Sequence, residues 1–130
     1  MKLLLDTHIF LWFISGDKRL SKSIQDNIRN PDNEVCLSTV SLWETIVKYQ
    51  LGKLLLPRHP SIYLPEQRQK HQIASLSLDE ASVSQLANLA KIHGDPFDRM
   101  LICQAIEHDL TIVTVDNAIC AYPVSVLNCG

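Results

Sequence analysis

Short apolar runs alternate along the chain with stretches whose apolar residues recur every three or four positions. Lys2 to Leu5 reads as a buried strand, followed by a buried segment. Leu20, Ile24 and Ile28 recur at every fourth position and predict a helix stopped by Asn30-Pro31. Val35 to Ser38 reads as a second strand. From about Ser41, a helical stripe is predicted through Val40, Trp43, Val47, Leu51 and Leu54. Ile73 to Leu76 reads as a third strand. Asp79 then caps a helix that runs through Val83, Leu86 and Ala90 and is closed by Gly94. Asp95 caps the next helix, with Pro96 at its first position, where a missing N–H is harmless. Thr111 to Val115, rich in β-branched residues, and Val124 to Leu127 complete the strands. Gly52 to Gln72 carries Pro57, Pro60 and Pro65; it reads as a loop or lid, or a short helix around Glu66 to Lys70.

Strands that are apolar throughout and alternate with helices predict an α/β fold, with a parallel sheet covered on both faces. Ligands in such folds bind beyond the carboxyl ends of the strands, so chemistry is expected just after each one. A length of 130 residues predicts one domain, residues 1–130. With 46% apolar and 20% charged residues and a mean hydropathy of +0.04, the chain is neither disordered nor of low complexity. The start Met1-Lys2-Leu3-Leu4-Leu5 imitates a secretory leader. Asp6, His8 and Asp17-Lys18-Arg19 interrupt it, and it is too short to span a bilayer, so a cytoplasmic protein without membrane attachment is expected.

Cys36, Cys103, Cys120 and Cys129 lack the two-to-four-residue spacing of zinc sites and are expected to be reduced, structural thiols. The five histidines form no H-x-x-x-H or H-E-x-x-H pair, which argues against a histidine-based zinc enzyme.

The acids carry more information. Asp6-Thr7 follows the first strand and Thr114-Val115-Asp116 ends the fourth, which aims both acids at one sheet edge; each could equally cap the helix after it. At about 100° per residue, Glu44 lies about 40° from Val40 and about 20° from Leu51, on the edge of the apolar stripe. A carboxylate there needs a partner, for which Lys48 at i+4 is the simple choice. Asp98 shares a face with Leu101, Ile102 and Ala105; it could instead serve the helix N-terminus together with Asp95. At a spacing of about 5 Å and an effective dielectric of about 20, each ionised pair costs roughly 3 kcal/mol, so such a cluster needs protons or cations. Oxygen ligands alone select a hard cation, Mg²⁺ or Mn²⁺. Such sites commonly cleave phosphodiesters.

At this point the sequence resembles the PIN-domain family, and within it the VapC-like toxins of bacterial type II toxin–antitoxin systems. The matching segments, in the family's order, are Leu3-Leu4-Leu5-Asp6-Thr7-His8, then Ser41-Leu42-Trp43-Glu44 with Leu51-Gly52-Lys53-Leu54. His93-Gly94-Asp95-Pro96-Phe97-Asp98-Arg99-Met100-Leu101-Ile102 and Leu110-Thr111-Ile112-Val113-Thr114-Val115-Asp116 follow. The resemblance implies a three-layer α/β sandwich, a mainly parallel five-stranded sheet of order about 3-2-1-4-5, and a Mg²⁺-dependent endoribonuclease. It places Asp6, Glu44, Asp98 and Asp116 as catalytic, metal-binding acids. Asp95 is an additional acid, either a ligand or only a cap. Thr7 and Thr114 are implied as hydroxyls that hold the carboxylates or a water. A homodimer and a cognate antitoxin are implied as well. Lys48, Lys53, Arg58 and Arg99, with Arg68 and Lys70, are the candidate contacts to a single RNA strand.

Three other readings compete. A haloacid-dehalogenase-like phosphatase needs a second aspartate where His8 stands. A non-catalytic protein-binding module would use the acids only as caps. A PIN nuclease of RNA processing would lie outside toxin–antitoxin biology. The formal net charge of −2 at first argues against a nucleic-acid partner. Taking four negative charges into a metal site changes −2 to +2 for the rest of the chain.

Overall fold

A computed structural model describes residues 1–127. The elements run β1 (Lys2–Leu5), α1 (Thr7–Ser15), α2 (Lys22–Arg29), β2 (Glu34–Ser38), α3 (Thr39–Gln50), α4 (Pro60–Lys70) and β3 (Ala74–Leu76). They continue with α5 (Glu80–Ser84), a 3-10 turn (Gln85–Asn88), α6 (Pro96–His108), β4 (Thr111–Val113), α7 (Asn117–Cys120) and β5 (Ser125–Leu127). The sheet order is β3-β2-β1-β4-β5, with each neighbouring pair parallel, as expected from the resemblance.

Alternation along β1 divides the core. Leu3 and Leu5 face Ile9, Phe10 and Phe13 of α1, Ile24 and Ile28 of α2, and Leu64 of α4. Leu4 faces Val40 of α3, Leu101, Ile102 and Ala105 of α6, and Ile119 of α7. Apolar side chains on both faces of a central parallel strand require a helical layer on each side, which makes the sandwich three layers deep.

Several elements differ from the reading of the sequence. The buried segment after β1 is helix α1, whose N-cap is Asp6 and whose C-cap is Gly16 in the left-handed region. Its apolar residues run almost without a break, so periodicity could not reveal it. The proline-rich stretch holds the full helix α4. His59 caps it by accepting from the Ser61 N–H, Pro60 sits in its first turn, and Pro65 is tolerated inside it. The helix after Asp79 is shorter than expected: α5 ends at Ser84, and only the 3-10 turn follows, so residues 89–95 form an irregular segment. The fourth strand stops at Val113 rather than Val115. The stripe on α3 is also different. Trp43 and Leu51 are exposed, whereas Val40, Ser41, Glu44 and Thr45 are buried, and Leu54 lies beyond the helix. The inward face of α3 is therefore mostly polar. The thiol expectation fails at one position: Cys36 and Cys103 are free, but Cys120 is disulfide-bonded. Cys129, also expected to be a reduced thiol, lies outside the described residues.

Candidate metal centre

The carboxyl ends of β1 and β4 lie side by side, because Leu5 pairs with Val113 in the parallel register. The next residues leave the sheet at the same edge and enter helices. Asp6 caps α1, its Oδ1 accepting from the Thr7 N–H at 2.7 Å; Asp116 caps α7, its Oδ1 accepting from the Ala118 N–H at 2.9 Å. Thr114, fully buried between them, donates its hydroxyl to Asp6 Oδ2 at 2.7 Å and accepts from the Asp116 N–H at 3.0 Å. One hydroxyl thus fixes the spacing of two acids.

Glu44 comes from the polar face of α3 and is only 2% exposed. Its Oε1 accepts from the Thr7 hydroxyl at 2.8 Å, and that hydroxyl also lies 2.8 Å from Ser41 Oγ. Its Oε2 is paired with Lys48, so the simple ion-pair role and burial at the site hold together. Ser38 anchors this end of α3: its Oγ accepts from the Val40 N–H at 3.0 Å and donates to the buried Gln104 of α6 at 2.5 Å.

Asp98 stands in the first turn of α6, on the same face as the buried Leu101, Ile102 and Ala105. Asp95 caps that helix, its Oδ1 accepting from the Phe97 and Asp98 N–H groups at 2.8 and 3.3 Å. Asp6, Glu44, Asp95, Asp98 and Asp116 line a cavity of about 210 Å³, with His8, Trp12 and Val115. A larger cleft of about 700 Å³ shares His8 and Trp12 with it and extends between α1 and α3, past Lys48, Lys53 and Tyr63.

The fold also brings in a residue that the sequence reading missed. His93 Nε2 lies 2.8 Å from Asp98 Oδ2 and 3.3 Å from Asp116 Oδ2. Its position depends on the irregular 89–95 segment, which reads in the sequence as a helix end; its place one residue before Gly94-Asp95 was the sole available signal. Tyr122, 4% exposed, holds this segment: its Oη accepts from the Ile92 and His93 N–H groups at 3.0 and 2.7 Å. Arg99 turns the same way, donating to Tyr122 Oη, Ala90 O and His93 O. Of the other candidate RNA contacts, Arg58 is paired with Glu66, Arg68 donates to Ile73 O, Lys53 lines the larger cleft, and Lys70 ends α4.

The electrostatics follow from crowding. Burial, then the charges of Asp6 and Asp95, push the Asp98 carboxyl up to about 7, against the hydrogen bond from His93. Burial also raises Asp6, opposed by the Thr114 hydroxyl and the nearby His8 and reinforced by Glu44. Burial disfavours a charged His93, but Asp98, Asp116 and Asp95 outweigh it and raise its pKa. A pocket whose acids hold protons this tightly carries excess negative charge that a cation would relieve. His93, Asp98 and Asp116 each offer one ligand atom, all within 4.8 Å of one another. The residues present therefore fit a divalent ion.

The family model for the PIN domain matches residues 3–124, and the chain belongs to that family. PIN nucleases use a divalent metal, and the acidic cluster offers a place for one. Within the family the chain is VapC-like. It is 26% identical over 113 residues to Ribonuclease VapC22 of Mycobacterium tuberculosis, covering 87% of this chain and 85% of the relative. It is 33% identical over 61 residues to Ribonuclease VapC16 of the same organism, covering 47% and 41%. The fold matches VapBC2 of Rickettsia felis, solved bound to a DNA fragment from its promoter, with a TM-score of 0.73, 16% identity and 98% of each chain covered. It also matches DNA-bound VapBC of Salmonella typhimurium, with a TM-score of 0.67, 21% identity and 98% and 97% covered. Among the described residues, no helix is long and apolar enough to cross a membrane.

Proposed function

We propose that this chain is a metal-dependent endoribonuclease of the cytoplasm and the toxin of a type II toxin–antitoxin pair. The observation that carries the reading is the convergence of Asp6, Glu44, Asp98 and Asp116 on one cavity at the sheet edge. The VapC relatives, which bear the name ribonuclease, support the activity, and the VapBC complexes among the structural neighbours support an antitoxin partner.

Asp6, Asp98 and Asp116 would hold Mg²⁺ or Mn²⁺. When bound there, the ion would supply positive charge to the scissile phosphate and would activate a water for attack. Thr114 keeps Asp6 and Asp116 at a fixed spacing before substrate arrives. Glu44, with one oxygen on Thr7 and the other on Lys48, orients the attacking water or takes its proton. Asp95 caps α6 and adds its charge to the pocket. The cleft past Lys48 and Lys53 gives a single RNA strand a cationic path to the acids. An antitoxin segment seated there would block that path. A homodimer would present two such sites.

Expression from an inducible promoter, followed by mapping of RNA ends, tests this reading. Growth arrest with discrete new ends, prevented by co-expressing a cognate antitoxin, is the expected result. Discrete ends without arrest would indicate RNA processing, and arrest without new ends would contradict a ribonuclease.

A further inference from the structure

The aspartates of the site had implied a ligand set made of oxygen alone. The geometry adds a nitrogen. His93 Nε2 faces one oxygen of Asp98 at 2.8 Å and one of Asp116 at 3.3 Å. Two ligands at adjacent corners of an octahedron, each about 2.1 Å from the ion, stand about 3.0 Å apart. The two separations bracket that value, and the three ligand atoms all lie within 4.8 Å of one another, which places them in reach of a single ion.

The imidazole is also held in place by its backbone. The His93 backbone N–H donates to Tyr122 Oη at 2.7 Å, and Arg99 bridges Tyr122 Oη to Ala90 O at 3.1 and 3.0 Å. Tyr122 is buried among Leu101, Ile102 and Ile119, so the clamp is anchored in the core. An irregular segment fixed in this way delivers a side chain to one spot.

We propose that His93 is a protein ligand of the bound divalent ion, together with Asp98 and Asp116. This rests on the metal site of the proposed nuclease and refines its chemistry. Imidazole suits Mn²⁺ and the later first-row ions better than Mg²⁺, which strongly prefers oxygen. The site therefore discriminates in favour of Mn²⁺, and His93 sets that preference.

The test uses the full chain, stripped of metal, with Mn²⁺ alone as the probe and no RNA present. Pulsed electron paramagnetic resonance of bound Mn²⁺ reads coupling to a directly bound ¹⁴N. The wild type is expected to show imidazole coupling, His8→Ala to keep it, and His93→Ala to lose it. In calorimetric titrations, His93→Ala weakens Mn²⁺ binding about tenfold or more and Mg²⁺ binding less than about threefold. His93→Asn, which offers an oxygen, loses the nitrogen coupling and regains Mg²⁺ affinity relative to His93→Ala. Wild-type protein that binds Mn²⁺ without ¹⁴N coupling, or coupling that persists in His93→Ala, overturns the proposal. RNA cleavage together with absent coupling would overturn this assignment and leave the nuclease standing. Absence of any Mn²⁺ binding would overturn both. The comparison of wild type with His8→Ala decides the matter even if the His93 variants fail to fold.

Discussion

The two halves of the acidic site are built differently. Asp6 and Glu44 are 5% and 2% exposed, and the hydroxyls of Thr7 and Thr114, with Lys48, meet their oxygens. They stand at the carboxyl end of β1 and on α3, where regular structure positions them. Asp116 and His93 have side chains 37% and 20% exposed, and His93 hangs on the irregular segment before α6. The enclosed half is assembled in advance, whereas the open half presents its ligand atoms to whatever enters. A metal-dependent nuclease needs both: fixed acids to orient a nucleophile, and accessible ones to exchange water, metal and phosphate.

The largest expected effect comes from removing charge in the enclosed half. Glu44→Gln keeps the shape and the Thr7 hydrogen bond but loses the carboxylate. Cleavage of a single-stranded RNA should fall about 10²-fold or more, with a circular dichroism spectrum unchanged from wild type. Cleavage within about threefold of wild type would remove Glu44 from the chemistry.

Thr114 joins the halves, so Thr114→Val should loosen their spacing. Metal affinity, measured by calorimetry, is expected to drop about 10- to 100-fold, as when a residue that orients metal ligands is lost. Stability should fall by about 1–3 kcal/mol in urea titrations, because the buried Asp6 oxygen loses its donor.

Burial raises both Asp98 and Asp6 and so sets the pH response of the metal-free chain. Folded Asp98 keeps its proton up to about 7, whereas an unfolded aspartate ionises near about 3.9. The folded state binds more protons between those values, so stability falls as pH rises through that window. His93, raised by its carboxylate neighbours, acts with the same sign: its contribution is full at low pH and is lost as pH passes its folded value. The melting temperature should therefore be several degrees higher near pH 5 than near pH 8. Saturating Mn²⁺ should reduce that difference, since the cation replaces the protons. A metal-free melting temperature that rises across the window would contradict the crowding.

The smallest effect should come from the cleft outside both halves. Lys53→Ala is expected to weaken binding of single-stranded RNA only a few-fold and to reduce the salt dependence by about one phosphate contact.

These two halves also differ in how far they could be read from sequence. The parallel sheet, the strand-end positions of Asp6 and Asp116, and the inward face of Asp98 followed from apolar runs and helical spacing, whereas the sheet order came only with the family resemblance. Glu44 was placed correctly on the edge of a buried face, although the stripe used to place it was partly wrong. Trp43 and Leu51 point outward because Ser41, Glu44 and Thr45 occupy the inward side of α3, an exchange that hydrophobicity alone cannot show. Trp43 instead packs edge-on against Phe97, with ring centroids 4.7 Å apart. His93 begins the matching segment but carried no signal of a role in the site beyond its place before Gly94-Asp95. Its meeting with Asp98 and Asp116 depends on where the 3-10 turn ends and on a hydrogen bond to Tyr122, 29 residues away. Arg99 showed as a free cation in the sequence and serves that same clamp in the fold.

The most direct test of the central claim compares purified wild type with Asp6→Asn on one labelled RNA, with Mn²⁺ or Mg²⁺ and with the metal chelated. Discrete cleavage by the wild type that requires metal, and its loss in an Asp6→Asn protein that melts at or above the wild-type temperature, is the predicted result. Cleavage that survives chelation, or that persists in folded Asp6→Asn, would contradict a metal-dependent nuclease centred on these acids.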